Sequence, residues 1–194
     1  TSAYGVADDV AFGFSYAATL LGWRVAGAEI LPFSPLAGRA PDQTADAIYL
    51  PGGYPELHAG TLAANHAFLA GLRQAASRGA TIYGECGGYM TLGETLIDAQ
   101  GERHAMAGLL PLITSFAERK LHLGYRQGRL LADGPLGETG RVFRGHEFHY
   151  ATVVEEGPGE SLFEVEDAAC RNLGSHGRRQ GSVFGSFLHL IDEV

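Results

Sequence analysis

Thr81-Ile82-Tyr83-Gly84-Glu85-Cys86-Gly87-Gly88-Tyr89-Met90 is the stretch on which the reading of this chain turns. A short β-branched and aromatic run leads into Gly84-x-Cys86-x-Gly88, and residues 89–96 read as the helix that follows. Strand, tight strained turn and helix are the grammar of a nucleophile elbow. Glycines two residues to either side of the cysteine leave space where a side chain would collide with neighbouring backbone. Cys86 would sit at the turn with its sulfur near the first free N–H groups of the helix, where positive potential favours thiolate over thiol. The competing reading is a buried structural cysteine in a glycine-rich turn, the commoner fate of a free cysteine. Glycine on both sides at elbow spacing weighs towards chemistry.

Working upstream, Ala47-Ile48-Tyr49-Leu50 is a short apolar run closed by Pro51-Gly52-Gly53-Tyr54-Pro55-Glu56. It reads as a fully buried parallel strand and its turn. Between the two strands, Leu62, Leu69, Leu72 and Ala76 follow helical spacing, with Gly79 as the stop. Residues 4–8 and 28–33 predict two further strands. A helix over residues 16–26, capped by Ser15 and stopped by Gly27, joins them. Leu20, Leu21, Trp23 and Val25 are too dense for one apolar stripe, which predicts a largely buried helix. Strands alternating with helices argue for a parallel, doubly wound α/β sheet, with ligands at the carboxyl ends of its strands. Both Gly52-Gly53 and Cys86 fall there.

Downstream the rhythm changes. Ala99-Gln100-Gly101-Glu102 reads as a hairpin turn, and residues 121–131, 141–154 and 161–166 as antiparallel strands appended to the parallel core. Residues 182–187 form a last strand, with His189 just beyond it.

The bulk numbers exclude several classes. The 194 residues suffice for one well-buried domain, 45% of them hydrophobic and 19% charged. Fourteen basic against 22 acidic residues give a formal net charge of −8, which argues against nucleic acid or an anionic membrane as partner. No apolar run is long enough to cross a bilayer. Two cysteines and no export signal predict reduced thiols and a cytoplasmic setting. Lys120, the only lysine, follows Arg119 and not glycine, so no Gly-x-x-x-x-Gly-Lys-Ser/Thr loop is present to bind ATP phosphates.

A thiol nucleophile needs a base. His58, His66, His104, His122 and His176 fall in stretches read as surface helices, loops or turns and are expected to be solvated. His189 follows a buried-looking strand and is the expected base, against the alternative of a core histidine bonded to a carbonyl. His146 and His149 would point to opposite faces of a strand, and their spacing is not that of a zinc helix, so no metal site is expected. Glu147 and His149 share a face and either line the pocket or form an ordinary surface pair. A backbone N–H of the Gly52-Gly53 turn, paired with that of Gly87, could face a developing oxyanion. The alternative for the doublet is a simple tight turn.

Four blocks now resemble a known family: residues 50–56, 84–90, 145–150 and 185–189 are similar, in order, to the glutaminase domain of cobyrinate or hydrogenobyrinate a,c-diamide synthase. Cobyric acid synthase, the sister family, differs around the oxyanion turn and the Glu147-to-His149 strand. The resemblance implies a class I glutamine amidotransferase fold. That fold is α/β and flavodoxin-like, a mainly parallel sheet with helices on both faces and appended antiparallel strands. It implies a single glutaminase domain over residues 1–194, needing no cofactor or metal of its own. It also implies an N-terminal synthetase domain outside this chain that uses ATP and Mg²⁺ to activate the a and c carboxylates of a corrin substrate. Glutamine and that domain are the implied partners, and a homodimer stays open. By the likeness Cys86 attacks the glutamine amide, His189 keeps it nucleophilic, and N–H donors near Gly53 and Gly87, with Tyr54 beside them, stabilise the oxyanion. Many class I members carry a glutamate two residues after the histidine, but here Ile191 stands there. Either the pair works as a dyad, or Glu147, Asp192 or a carboxylate of the other domain orients His189. Two other readings remain at this stage: a stand-alone cysteine hydrolase on the same scaffold, and a non-catalytic regulatory domain.

Overall fold

In the computed structural model, which describes residues 2–194, the chain builds one large mixed sheet and one small one. Five strands are linked in parallel: β1 (Ala3–Ala7), β2 (Glu29–Phe33), β3 (Ala47–Leu50), β4 (Thr81–Glu85) and, much later, β13 (Val183–Ser186). Their order is β2-β1-β3-β4-β13, the flavodoxin-like arrangement, in which the chain reverses direction between β1 and β3. Loops leaving the carboxyl ends of β1, β3 and β4 therefore converge on one edge of the sheet.

Four helices accompany these strands: α1 (Ala17–Val25), α2 (Ala59–Ala64), α3 (His66–Ser77) and α4 (Gly87–Leu92). The apolar spacing after the Gly-Gly turn makes two helices, because Asn65 leaves helical geometry and its side-chain amide donates to the Pro35 carbonyl. Phe68, Leu69, Leu72 and Ala75 then form the buried face of α3. Complete burial of a side chain such as Leu72 contributes about 1.5–3 kcal/mol. The expectation of a largely buried first helix is not met. No residue of α1 is buried, and Leu21 and Val25 are 60% and 80% exposed. Only its Trp23 face finds partners, edge-on to Tyr4 and Tyr49. Nor does Ser15 cap α1: the N-cap is Tyr16, without a side-chain cap bond.

The antiparallel part is as extensive as the parallel one. β8 (His122–Leu130), β9 (Val142–His149), β11 (Glu160–Asp167), β12 (Asn172–Gln180) and β14 (Leu188–Glu193) extend the sheet in the order β14-β9-β8-β11-β12-β13. β5 (Thr95–Ile97), β6 (Arg103–Ala105), β7 (Leu112–Ser115) and β10 (Thr152–Glu156) form the second sheet. Leu96, expected in the elbow helix, thus lies in a strand, since Gly93 ends α4 in extended geometry.

One connection decides where the site can form. β13 runs through the single residue Phe187 into β14, although β13 pairs with β4 while β14 pairs with β9 at the far end of the order. The antiparallel half must therefore curl back on itself, enclosing a small core of Leu130, Leu162, Phe163, Val165, Phe184 and Leu188. That curl carries His189, in β14, back to the end of β4. Among the described residues no helix is long and apolar enough to cross a membrane.

Candidate active site

The elbow is present and strained. Cys86 has φ 50° and ψ −102° between β4 and α4, a conformation that costs a non-glycine residue energy. The flanking glycines are required by close approach. A β-carbon on Gly88 would lie 1.9 Å from the Leu50 carbonyl oxygen, and one on Gly84 would lie 2.7 Å from the Gly88 carbonyl carbon. Gly88→Ala is accordingly expected to cost at least ~2 kcal/mol of stability. Urea unfolding checks this, and a shift below about 0.5 kcal/mol would mean that the elbow relaxes freely.

The turn after β3 closes over Cys86. A β-carbon on Gly52 would stand 2.5 Å from His189 Cε1 and 3.5 Å from Cys86 Cβ, so imidazole and thiol flank one bare backbone position. Gly53 is pressed onto the Ala11 carbonyl, and its nitrogen lies 3.1 Å from where a Gly87 side chain would begin. The Gly53 and Gly87 N–H groups are thereby neighbours; that of Gly53 has no acceptor among the described residues, and that of Gly87 is turned to the Cys86 sulfur. Two adjacent N–H donors beside a sulfur are what an oxyanion site requires.

Glu85 is the residue that the sequence reading missed. Its carboxylate is 2% exposed, accepts hydrogen bonds from Tyr49 (3.1 Å), Tyr83 (3.0 Å) and the Leu190 N–H (3.2 Å), and lies 3.4 Å from His189 Nδ1. Burial, reinforced by the carboxylate itself, raises both phenols above their ordinary range and keeps them as donors. The only available signal was an acid directly before the nucleophile at a strand end.

Neither carboxylate proposed from sequence faces His189. Glu147 bonds His149 Nε2 through Oε1 (2.9 Å) and Arg126 through Oε2 (2.9 Å). Burial pushes its carboxyl up, but these two cationic or donor partners outweigh it and hold it down at about 2. Asp192 is exposed, 4.0 Å from Arg144. Glu147 and His149 do share a face. Both nitrogens of His149 are engaged, Nδ1 with the Ala151 carbonyl at 3.0 Å, which leaves no free ring nitrogen for the thiol. His189 Nε2, by contrast, has no partner among the described residues.

His122, expected to be solvated, stacks on His149 at 4.6 Å, and the two cluster with Glu147. The rings lie only 7° from parallel, so no ion could sit in both ring planes, and both Glu147 oxygens are taken. The cluster does not fit a metal, and of its three members His149 alone lines the pocket at Cys86. His146 stacks on His189 at 4.7 Å and faces the Tyr16 hydroxyl at 2.7 Å.

Cys86, Gly53, Tyr54, His149, Phe148 and Tyr150 line one pocket. The thiol does not show the expected lowering. Burial first, and then the negative charge of Glu85, push it up to about 12, outweighing the Gly87 N–H that draws it down. The six residues of α4 form too short a helix to reverse this. The S–H instead points to the Phe148 carbonyl, 3.8 Å away. The rate of Cys86 alkylation by iodoacetamide is therefore expected to climb steadily from pH 7 through pH 10 (about tenfold per unit). A plateau below pH 8 would reveal a preformed thiolate.

A free thiol on a strained elbow, a carboxylate-backed imidazole and paired N–H donors are the parts that a cysteine amidase needs, set here on a flavodoxin-like sheet. Residues 5–193 match the family described as the CobB/CobQ-like glutamine amidotransferase domain, and the chain belongs to that family. It is 58% identical over 191 residues to a hydrogenobyrinate a,c-diamide synthase of a Sinorhizobium species, and 57% identical to that of Rhizobium meliloti. Each alignment takes in 96% of this chain but only 42% and 43% of the relative's length. Among solved structures, PurLQS from Thermotoga maritima superposes with a TM-score of 0.66 at 18% identity, covering 97% of this chain and 87% of that one. A glutamine amidotransferase from the same organism gives 0.64 at 13% identity, covering 97% and 75%. At such identities these two neighbours speak for the fold alone.

Proposed function

We propose that this chain is the ammonia-producing half of an ATP-dependent amidoligase of the cytoplasm. Cys86 cleaves the side-chain amide of glutamine, and the ammonia passes to the a and c carboxylates of hydrogenobyrinate or a closely related corrin acid. The observation that carries the reading is the convergence on the Gly52-Gly53 turn of Cys86, His189 with Glu85 behind it, and the N–H groups of Gly53 and Gly87, with Cys86 and Gly53 lining one pocket. The 58% identity to named hydrogenobyrinate a,c-diamide synthases supports the choice of acceptor. ATP, Mg²⁺ and the corrin acid are assigned to the part of those relatives that lies outside the matched region.

The chemistry follows from the geometry. Because the resting thiol keeps its proton, transfer to His189 Nε2 accompanies attack of sulfur on the amide carbon. As the C–S bond forms, the carbonyl oxygen takes the electron pair and faces the Gly53 and Gly87 N–H groups. Collapse breaks the C–N bond, and the nitrogen leaves as ammonia with the proton held by His189. Water then attacks the γ-glutamyl thioester, His189 accepts one of its protons, and glutamate departs as that proton returns to sulfur. Glu85 holds Nδ1 so that Nε2 points at the reacting atoms throughout.

The full-length protein with glutamine, ATP, Mg²⁺ and a corrin acid tests the proposal. Glutamate release should match amide formation mole for mole. Glutamate release indifferent to ATP and corrin acid would favour the stand-alone hydrolase, and no release would favour the non-catalytic domain.

A further inference from the structure

The chemistry above gives His146 no task, yet the fold presses it against the catalytic base. β9 and β14 pair antiparallel with His146 directly opposite His189, the register that brings two side chains of one sheet face into contact. Gly145 permits the close pairing, because a β-carbon there would collide with the His189 carbonyl oxygen. The two imidazole rings lie 4.7 Å apart and within 10° of parallel. His146 is half-buried and is held in turn from another element: its Nε2 meets the hydroxyl of Tyr16, the N-cap of α1, at 2.7 Å.

Glu85 alone does not fix the His189 ring. It stands 3.4 Å from Nδ1, long for an N–H···O bond. The torsion that turns an imidazole about its Cβ–Cγ bond is broad, so a carboxylate at one ring nitrogen leaves the ring plane free to swing. A flat ring laid against the face of His189 removes that freedom. Charge suits the same arrangement. Burial first, and then the positive charge of His189, draw the His146 pKa below the ordinary imidazole value against the pull of Glu85. Burial and then Glu85 raise that of the Tyr16 phenol. The phenol thus keeps its proton to donate to Nε2, and His146 stays neutral while His189 takes up the thiol proton.

We infer that His146, held by Tyr16, is a positioning residue whose ring fixes the plane of the His189 imidazole, so that Nε2 stays aimed at the reacting atoms through both proton transfers. This rests on the glutamine reading above and adds to it a residue that acts through the base. Its effect falls on turnover and not on glutamine binding.

Steady-state kinetics of the full-length protein with glutamine, ATP, Mg²⁺ and a corrin acid test the inference. His146→Leu, which fills the site without a flat face, should lower the glutamine-dependent kcat about 10–10²-fold with KM within about twofold. Ammonia-dependent amidation should stay within about twofold. His146→Phe keeps a flat ring and should recover to within about fivefold of wild type. Tyr16→Phe should cost about threefold to tenfold when His146 is present and nothing further beside His146→Phe, because the hydroxyl acts only through the imidazole. Normal turnover by His146→Leu, no recovery in His146→Phe, or an equal cost of Tyr16→Phe in both backgrounds would overturn the inference. If His146→Leu does not fold, shown by loss of ammonia-dependent amidation as well, the Tyr16 comparison decides. If the wild-type protein releases no glutamate from glutamine, the glutamine reading itself fails, a result distinct from all of these.

Discussion

Replacing Cys86 by alanine or serine is expected to abolish glutamine-dependent amidation in the full-length protein while ammonia-dependent amidation stays within about twofold of wild type. Cys86 is the only cysteine in the pocket; the other, Cys170, is exposed elsewhere. Without the sulfur no thioester can form, and serine offers a far weaker nucleophile held on the same strained turn. Free ammonia bypasses this pocket altogether, so its use should survive. Equal loss with both nitrogen donors would mean that the elbow holds the whole enzyme together and does not merely feed it. The side chain is 5% exposed, so serine, close in volume, is the variant less apt to disturb packing.

His189→Ala is the second large effect: glutamine turnover should fall by about 10²–10⁴-fold, the usual cost of losing a general base. His149 cannot stand in, because both its nitrogens are already bonded. Nor is His146 placed to do so, since its Nε2 faces Tyr16. Glu85→Gln separates positioning from chemistry. The amide keeps the size of the carboxylate but offers His189 Nδ1 no negative charge, and one of its two heads can donate instead of accept. A fall of about 10–10³-fold in kcat with KM nearly unchanged is expected, since Glu85 is screened from the substrate by His189. If Glu85→Gln turns over normally, the pair acts as a dyad and the buried carboxylate serves the fold only.

The parallel core could be read directly because its strands are short runs rich in apolar residues, most plainly β3, which stops at Leu50-Pro51-Gly52. Glycine at 84 and 88 is legible for a related reason: backbone packs against backbone there, and no other residue fits. β12 was not legible. Asn172-Leu173-Gly174-Ser175-His176-Gly177 lacks apolar alternation, since its residues 172–175 are exposed, and its place is set by pairing with β11 and β13. The same holds for β14, whose distance in sheet order from β13 cannot be inferred from a one-residue connection.

The pairing of Cys86 with His189 could be proposed from sequence, and the carboxylate beside His189 could not. The family pattern sought a carboxylate two residues after His189, where Ile191 is 56% exposed and useless for the purpose. The structure supplies the carboxylate from a different strand, one residue before the nucleophile. Only the curl of β14 back to β4 brings Glu85 and His189 together, and that is a tertiary fact with no local signature. The thiol ran contrary to expectation for a similar reason. Motif reasoning credits the helix terminus, whereas burial and the adjacent Glu85 dominate once the site is assembled.

The most direct measurement is acid quenching of the full-length protein within its first turnover of glutamine, followed by peptide mapping. A γ-glutamyl group bound to Cys86 is the expected result, lost in Cys86→Ala and slow to appear in His189→Ala and Glu85→Gln. Glutamate released at wild-type rate by Cys86→Ala, or a γ-glutamyl group carried by Cys170, would contradict it.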